Sequence, residues 1–131
     1  MLEVLVTIRD RDNHDKIKGE FEKLGMNVHM IASFSSAIDF LAVRNLDFVF
    51  VDFSCLSTPR PDLVQKLNQL TKAKKVHLII MATAEERARL RGTLPFHEAD
   101  VVVKPVTAET LSKKLVQIRP GEFKIPISNK S

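Results

Sequence analysis

The sequence contains no tryptophan and no tyrosine, and its only cysteine is Cys55. A single cysteine excludes an internal disulfide and an all-cysteine zinc site. No apolar run approaches the roughly 18 to 20 residues that a membrane-spanning helix needs, and the first residues lack a signal-peptide pattern. We therefore expect a cytoplasmic domain that makes no membrane contact of its own.

Motifs for metal binding and for catalysis are also missing. The four histidines are scattered along the chain without the spacing of metal ligands: His14, His29, His77 and His97. No P-loop, dinucleotide-binding fingerprint or nucleophile elbow occurs. We expect neither an independent enzyme nor a bound cofactor.

Charge is nearly balanced, with 20 basic and 16 acidic residues and a formal net charge of +4. Much of the excess lies in two short segments, 72–75 and 87–91. A basic patch can attract nucleic acid, but no aromatic side chains alternate with these lysines and arginines to stack on bases. The segments are interpreted as solvated surface, and nucleic-acid binding is kept as an alternative hypothesis.

Short apolar runs are the main positive signal in the 131 residues, of which 44% are apolar. Five runs rich in Val, Ile and Phe predict strands at 2–8, 28–31, 47–52, 76–81 and 101–103. Polar residues hardly interrupt them, which is typical of strands buried on both faces of a parallel sheet.

Amphipathic segments alternate with these runs and predict five helices. Asp12 or Asn13 is the expected cap of the first, and Gly25 its C-terminal end. The other four are expected to begin at Ser33–Ser36, Asp62, Thr83 and Thr107 and to end near residues 44, 70, 91 and 118. Segments 53–61 and 92–100 are predicted loops, and 119–131 is a linker-like tail.

This alternation predicts an α/β domain over residues 1–118: a flavodoxin-like, doubly wound three-layer sandwich. Its parallel sheet should have five strands in the order 2-1-3-4-5, covered by five helices. We expect a monomer or a weak dimer.

The carboxyl ends of the strands should bring several polar residues together, since sites in such sheets lie at that edge. Strand three ends at Asp52, strand four leads to Thr83, and strand five leads to Lys104. A carboxylate, a hydroxyl and an ammonium in one crevice could handle a phosphoryl group, with the carboxylate as nucleophile.

In these features the chain resembles the receiver (response-regulator, CheY-like) domains of two-component systems and hybrid histidine kinases. The resemblance covers Leu2 to about Ile118. It places Asp52 at the phosphoacceptor position, Thr83–Ala84 at the conserved hydroxyl with its following small residue, and Lys104–Pro105 at the conserved lysine and proline. It implies a cytoplasmic signalling module whose partners are a histidine kinase, a phosphotransfer domain, or neighbouring domains of the same chain.

The departures from the family pattern concern the metal and the switch. Receivers hold Mg²⁺ with an acidic pair after strand one, and here Ile8 and Arg9 occupy those positions. Val101 stands where the family has an aromatic switch residue. The loop after the acceptor reads Ser54-Cys-Leu-Ser57, and Arg60 replaces a usual glycine. The resemblance is therefore to a degenerate, pseudo-receiver type.

We interpret the sequence as a non-enzymatic, degenerate receiver that acts by protein–protein interaction, as part of a hybrid sensor histidine kinase. Arg9, if it points inward, would pair with Asp52 and replace the metal. The first alternative is a phosphorylatable receiver whose Mg²⁺ would be held by Asp52 with Asp10 or Asp12. The second is an atypical receiver that controls or joins nucleic-acid binding.

Overall fold

In the computed structural model, which describes residues 2–57, 60–91 and 100–119, five parallel strands form one sheet. The strands are β1 (Glu3–Thr7), β2 (Asn27–Ile31), β3 (Phe48–Asp52), β4 (His77–Ala82) and β5 (Asp100–Val103). Their order is β2-β1-β3-β4-β5, and every neighbouring pair is parallel. This confirms the predicted sheet and its strand order.

The central strand explains why the apolar run at 48–52 lacks polar alternation. All five residues of β3 are buried, and its two neighbours are β1 and β4. Val49 and Val51 face one apolar cluster, whereas Phe48 and Phe50 face the other. Because helices cover both faces of the sheet, both sets of side chains must be apolar.

Six helices surround the sheet in the described part of the chain. They are α1 (His14–Glu22), α2 (Phe34–Val43), α3 (Phe53–Leu56), α4 (Pro61–Ala73), α5 (Ala84–Leu90) and α6 (Ala108–Ile118). Phe21 of α1 and Leu111 of α6 pack into the cluster on one face, and Phe21 meets Phe50 edge-on with ring centroids 4.7 Å apart. Buried residues of α2, α3, α4 and α5 belong to the cluster on the opposite face. The domain therefore has three layers, with the sheet between two layers of helices.

Helix α3 corrects the prediction of a loop over 53–61 and of five helices. Its four residues follow β3 directly. Asp52 provides the N-cap, because its side chain accepts a hydrogen bond from the backbone N–H of Ser54. A single helical turn is too short to show a period of 3.6 residues in the sequence. Residues 58 and 59 of the predicted loop lie outside the described residues.

Two helix boundaries also differ from prediction. Neither Asp12 nor Asn13 caps α1 with its side chain; Asp10 instead caps a 3-10 turn, Arg11–Asn13, that leads into the helix. Helix α4 begins one residue early, with Pro61 in its first turn, and extends to Ala73. Pro suits a first turn because the N–H it lacks has no partner there.

The other predicted helix ends are confirmed. Ser33, Thr83 and Thr107 each accept a hydrogen bond at the start of α2, α5 and α6. Gly25 follows the turn after α1 with φ of +77°, a left-handed conformation that favours glycine. Of the predicted loop 92–100, only residue 100 is described, and it is the first residue of β5. Residues 120–131 of the predicted tail lie outside the described residues.

Candidate functional site at the carboxyl edge of the sheet

Asp52 lies at the carboxyl end of the central strand, and only 6% of its surface is exposed. Lys104, which follows β5, places its Nζ 2.7 Å from Asp52 Oδ1. The prediction that these two residues lie side by side is therefore confirmed. The other carboxylate oxygen, Oδ2, accepts hydrogen bonds from the Ser54 backbone N–H at 3.1 Å and from the Ser54 hydroxyl at 2.6 Å. Both oxygens of Asp52 thus have donors within the chain.

Thr83 is exposed and serves as a helix cap. Its Oγ1 accepts a hydrogen bond from the Glu86 N–H at 3.1 Å, and its own N–H donates to Glu86 Oε1 at 2.9 Å. The same Glu86 oxygen lies 4.0 Å from Lys104 Nζ. The capping box at the start of α5 is therefore electrostatically linked to Lys104, and through it to Asp52.

The segment after β1 places Ile8, Arg9 and Asp10 in three different environments. Ile8 is 5% exposed and packs in the cluster beneath α1 and α6. Arg9 is exposed, and no ion pair joins it to Asp52 among the described residues. The hypothesis that Arg9 pairs with Asp52 is wrong, because the cation paired with Asp52 in the described residues is the ammonium of Lys104.

Asp10, unlike Arg9, faces the same cavity as Asp52. Its Oδ1 accepts the Asp12 N–H at 3.0 Å, and its Oδ2 accepts the Asn13 side-chain amide at 2.7 Å. Asp12 is exposed and does not line the cavity. Of the two weak metal candidates after β1, only Asp10 is close to the crevice.

The cavity has a volume of about 220 Å³. Its polar lining consists of Asp10, Asn13, Lys16, Asp52 and Lys104. Its apolar lining consists of Ile8, Ile17, Met81, Pro105 and Val106. The site is thus a small crevice with one hydrocarbon wall and an equal number of lysines and carboxylates.

The residues present do not fit a Mg²⁺ ion. Mg²⁺ requires several oxygen ligands in near-octahedral array, and Ile8 presents only hydrocarbon at an expected ligand position. The oxygens of Asp52 are engaged by Lys104 and Ser54, and those of Asp10 by the 3-10 turn. Within 2–57, 60–91 and 100–119, no group of three His, Cys, Asp or Glu side chains is arranged to hold a metal.

Val101, at the expected switch position, is 9% exposed and belongs to the same apolar cluster as Leu90 of α5. Its backbone is paired with Ile80 of β4. A valine buried in this way has no aromatic ring that could move between an exposed and an inward position.

Cys55, on α3, is almost fully buried, and its Sγ lies 3.8 Å from the Thr7 carbonyl oxygen. Burial raises the pKa of this thiol above its ordinary value, which keeps it protonated and unreactive. Two histidines pair with carboxylates at the opposite edge of the sheet: His29 with Glu3 at 2.8 Å, and His77 with Asp100. None of these residues belongs to the crevice.

Sequence reasoning missed Ser54, Glu86 and Lys16 as members of the site. Ser54 was detectable, because a serine two residues after an aspartate at a strand end is typical of a local side-chain cap. Glu86 stands three residues after Thr83, a spacing that indicates only a capping box, and its approach to Lys104 depends on the packing of α5. Lys16 gave no signal, since it is one of several charged residues on α1.

Comparison with solved structures places this fold among receiver domains. A two-component response regulator from Clostridium difficile matches with a TM-score of 0.70 and 19% identity, over 100% of both chains. The receiver domain of a sensor histidine kinase from Pseudomonas aeruginosa, which has a magnesium ion in its active-site cleft, matches with a TM-score of 0.72 and 19% identity over 88% of this chain and 95% of that one.

A third match comes from a Saccharomyces cerevisiae complex between a histidine phosphotransfer signalling protein and the receiver domain of its downstream response regulator. The TM-score is 0.70 and the identity 16%, over 88% of this chain and 87% of the other. Neither a protein family nor a curated protein matches the sequence. At these identities the likeness establishes the flavodoxin-like receiver fold.

No helix in the described ranges combines the length and the apolar character needed to cross a membrane.

Proposed function

We propose that this chain is a degenerate receiver domain of a two-component phosphorelay, acting by protein–protein interaction without phosphorylation of Asp52. The fold supports the class of protein, and the crevice supports the degenerate type. The observation that carries the proposal is the buried, apolar Ile8, which stands at an expected metal-ligand position in the crevice where Lys104 Nζ lies 2.7 Å from Asp52 Oδ1.

The first supporting argument concerns charge. Phosphoryl transfer to a carboxylate brings two anions together, and a divalent cation normally neutralises the developing charge. Here the positive charge next to Asp52 is an ammonium of the same chain, and Ile8 offers no ligand for a metal. With no metal ligand at Ile8, this ammonium alone would have to compensate the developing charge, which disfavours phosphoryl transfer to Asp52.

The second argument concerns the switch. In a receiver, phosphorylation draws the hydroxyl after strand four inward, and an aromatic ring on strand five follows it. Thr83 is instead held by both hydrogen bonds of its capping box with Glu86, and Val101 carries no ring. A modification at Asp52 would therefore change few contacts at the surface, and a ligand shifts an equilibrium only through differential contacts with two states.

The expected partners are a histidine kinase, a phosphotransfer domain, or adjacent domains of the same protein, here a hybrid sensor kinase in the cytoplasm. The receiver domain in the S. cerevisiae complex was crystallised with a histidine phosphotransfer protein, and this chain shares that fold. Docking should be constitutive and should use a face of the domain away from Asp52, with no catalytic step performed by the domain itself.

A second candidate function is a phosphorylatable receiver that binds Mg²⁺ through Asp52 and Asp10. The favouring observation is that both carboxylates line one cavity. This reading requires Asp52 to release Lys104 and Asp10 to release the 3-10 turn that it caps.

Titration with Mg²⁺ and beryllofluoride, followed by two-dimensional NMR, separates the two candidates. We expect no saturable shift at low-millimolar Mg²⁺ in the wild-type domain, and no further change when beryllofluoride is added. The variant Ile8→Asp/Arg9→Asp, which places the family's acidic pair after β1, is the positive control. Saturable binding to the wild-type domain that disappears in Asp52→Asn would contradict the proposal and support the second candidate.

Partner binding provides the second test. The affinity for the cognate kinase or phosphotransfer domain should be the same for the wild-type domain and Asp52→Ala, with or without acetyl phosphate. A tenfold change in affinity, about 1.4 kcal/mol, would mean that the switch operates.

A further inference from the structure

The crevice beside Asp52 has the features of a binding site for a small organic molecule. Its volume of about 220 Å³ lies below the roughly 300 to 1,000 Å³ of pockets for drug-sized ligands. Binding sites in open α/β sheets lie at this edge, outside the carboxyl ends of the strands. A ligand here would have to be small.

One wall of the crevice is hydrocarbon. Met81 contributes from β4, Ile8 from the segment after β1, Ile17 from α1, and Val106 from the segment before α6. Ile8, Met81 and Val106 are almost fully buried, whereas Ile17 is half-buried. The isoleucine that makes the site unsuitable for Mg²⁺ therefore supplies apolar surface against which a short alkyl chain can pack.

The polar lining has spare hydrogen-bond donors. Each oxygen of Asp52 and of Asp10 already accepts at least one hydrogen bond or ion pair. Lys16 also lines the crevice; its charge helps to lower the pKa of Glu20, but no described residue forms a hydrogen bond or a close ion pair with its ammonium. A lysine ammonium has three donors and no acceptor. The group that would complete this lining is an anion.

We propose that the crevice binds a small amphipathic carboxylate, with its carboxylate group at Lys16 and its alkyl chain against Ile8, Ile17 and Val106. The alkyl chain would be short, in keeping with a cavity below the usual ligand range. Such a ligand bridges α1 and the segment before α6, so binding would couple the two helices. The inference rests on the proposed function, because an operating metal and phosphoryl site would fill the same space.

Straight-chain monocarboxylates are the probes, with binding followed by two-dimensional NMR of the full chain. Hexanoate should bind saturably, with shifts at Ile8, Ile17 and Val106. Affinity should rise about fourfold per methylene from butanoate to hexanoate as apolar surface is buried. Hexanol and hexylamine, which lack the anion, should bind at least fivefold more weakly than hexanoate.

Lys16→Ala should weaken hexanoate binding about fivefold or more, and Lys16→Arg should largely retain it. Lys18→Ala is the matched control, because Lys18 lies on the same helix, is exposed and pairs with Glu22 at 4.0 Å outside the crevice. The control should bind hexanoate as the wild-type domain does. These exposed positions can be changed without disturbing the core.

Absence of saturable hexanoate binding up to about 20 mM, or equal affinities for Lys16→Ala and Lys18→Ala, would overturn the inference. If Mg²⁺ also fails to bind in that case, the proposed function stands without the ligand. Saturable binding of Mg²⁺ and beryllofluoride at Asp52 would overturn the proposed function, and the inference with it.

Discussion

The buried carboxylate of Asp52 is compensated within its own chain. Removing an ionised carboxylate from water is unfavourable unless it is paired and hydrogen-bonded. Lys104 supplies the pairing charge at 2.7 Å, and Ser54 supplies two hydrogen bonds. Because Ser54 lies on α3 and Lys104 follows β5, these interactions form only when the two segments come together in the folded domain.

Removal of the lysine should therefore destabilise the domain. We expect Lys104→Met to lower the free energy of unfolding by about 1–3 kcal/mol, since it leaves a nearly buried carboxylate without its counter-charge. Urea denaturation measures the change. The double variant Asp52→Asn/Lys104→Met should lose less than the sum of the two single changes, because no charge is then left unpaired.

Lys113→Met on α6 is the control for this experiment. Lys113 pairs with Glu109 at 3.5 Å, and both side chains are exposed. Surface pairs of this kind contribute about 0–1 kcal/mol. A similar loss in Lys104→Met and Lys113→Met would mean that the Asp52 pair behaves as an ordinary surface contact.

At the scale of elements, charged side chains connect the ends of neighbouring helices. Lys74, just after α4, donates to the carbonyl oxygens of Leu41, Ala42 and Arg44 at 2.7, 3.2 and 2.8 Å. These carbonyls lie at the C-terminal end of α2, where oxygens lack partners within the helix and a positive charge is favourable. The packing of α2 on α4 is thus fixed at one end by a single ammonium.

Replacement of Lys74 should loosen that end. Lys74→Met is expected to lower stability by about 1–2 kcal/mol, because three carbonyl groups lose a charged donor. Hydrogen exchange should become faster at the last turn of α2. Lys72 is an exposed residue in the last turn of α4. Lys72→Met should change neither the stability nor the hydrogen exchange of α2. Equal protection of α2 in both variants would contradict the assigned role.

Glu20 makes the corresponding connection between α1 and α6. Its Oε2 pairs with Lys23 at 2.9 Å, and its Oε1 accepts the Ala108 N–H at the start of α6 at 2.7 Å. The hydrogen bond from Lys23, followed by that from Ala108, lowers the pKa of Glu20 below its ordinary value of 4.5. The ionised form is therefore favoured in the folded state.

This shift predicts the sign of a pH effect. A carboxyl group with a lowered folded pKa stabilises the protein above its unfolded pKa, and the contribution is lost as the pH falls through the folded pKa. Glu20→Gln should thus be less stable than wild type near neutral pH, and the two should converge as the pH falls through the lowered folded pKa of Glu20. Urea denaturation across this range measures it. Glu22→Gln, on the same helix, should show a smaller difference.

At the scale of the whole molecule, the charge distribution argues against nucleic-acid binding. The net charge is only +4, and several basic residues are engaged with neighbours. Lys74 donates hydrogen bonds to carbonyl oxygens at the end of α2, the Arg89 guanidinium lies 5.4 Å from the centre of the Phe53 ring, and that of Arg119 lies 4.7 Å from the Phe48 ring. These residues do not present a continuous basic face.

We accordingly predict no detectable binding of duplex DNA at physiological salt. Fluorescence anisotropy with a labelled duplex, repeated at several salt concentrations, is a sufficient measurement. A tight complex whose affinity falls steeply with salt would indicate phosphate contacts and would favour the alternative of a nucleic-acid-binding receiver.

The sequence by itself determined the sheet and the position of its carboxyl-edge residues. Both faces of a parallel sheet are covered by helices, so each of its strands needs apolar residues on both faces. This requirement is visible in each short run of the sequence, and the runs therefore predicted parallel strands. The ends of the runs placed Asp52 and Lys104 at the same edge. Caps such as Thr83 were equally local, because a side chain and a backbone N–H three residues later suffice to form them.

Only the tertiary structure decided which cation lies against Asp52 and what fills the crevice. Arg9 and Lys104 were both near the strand ends in the sequence, but Arg9 turns to solvent while Asp10 faces the cavity. The direction of a side chain after a strand depends on the backbone conformation of the following turn. Hydrophobic periodicity predicts helices and strands but not this conformation. Asp52 and Lys104 are far apart in the chain, and the order β3-β4-β5 in the sheet brings them together. Their ion pair therefore forms only in the folded protein.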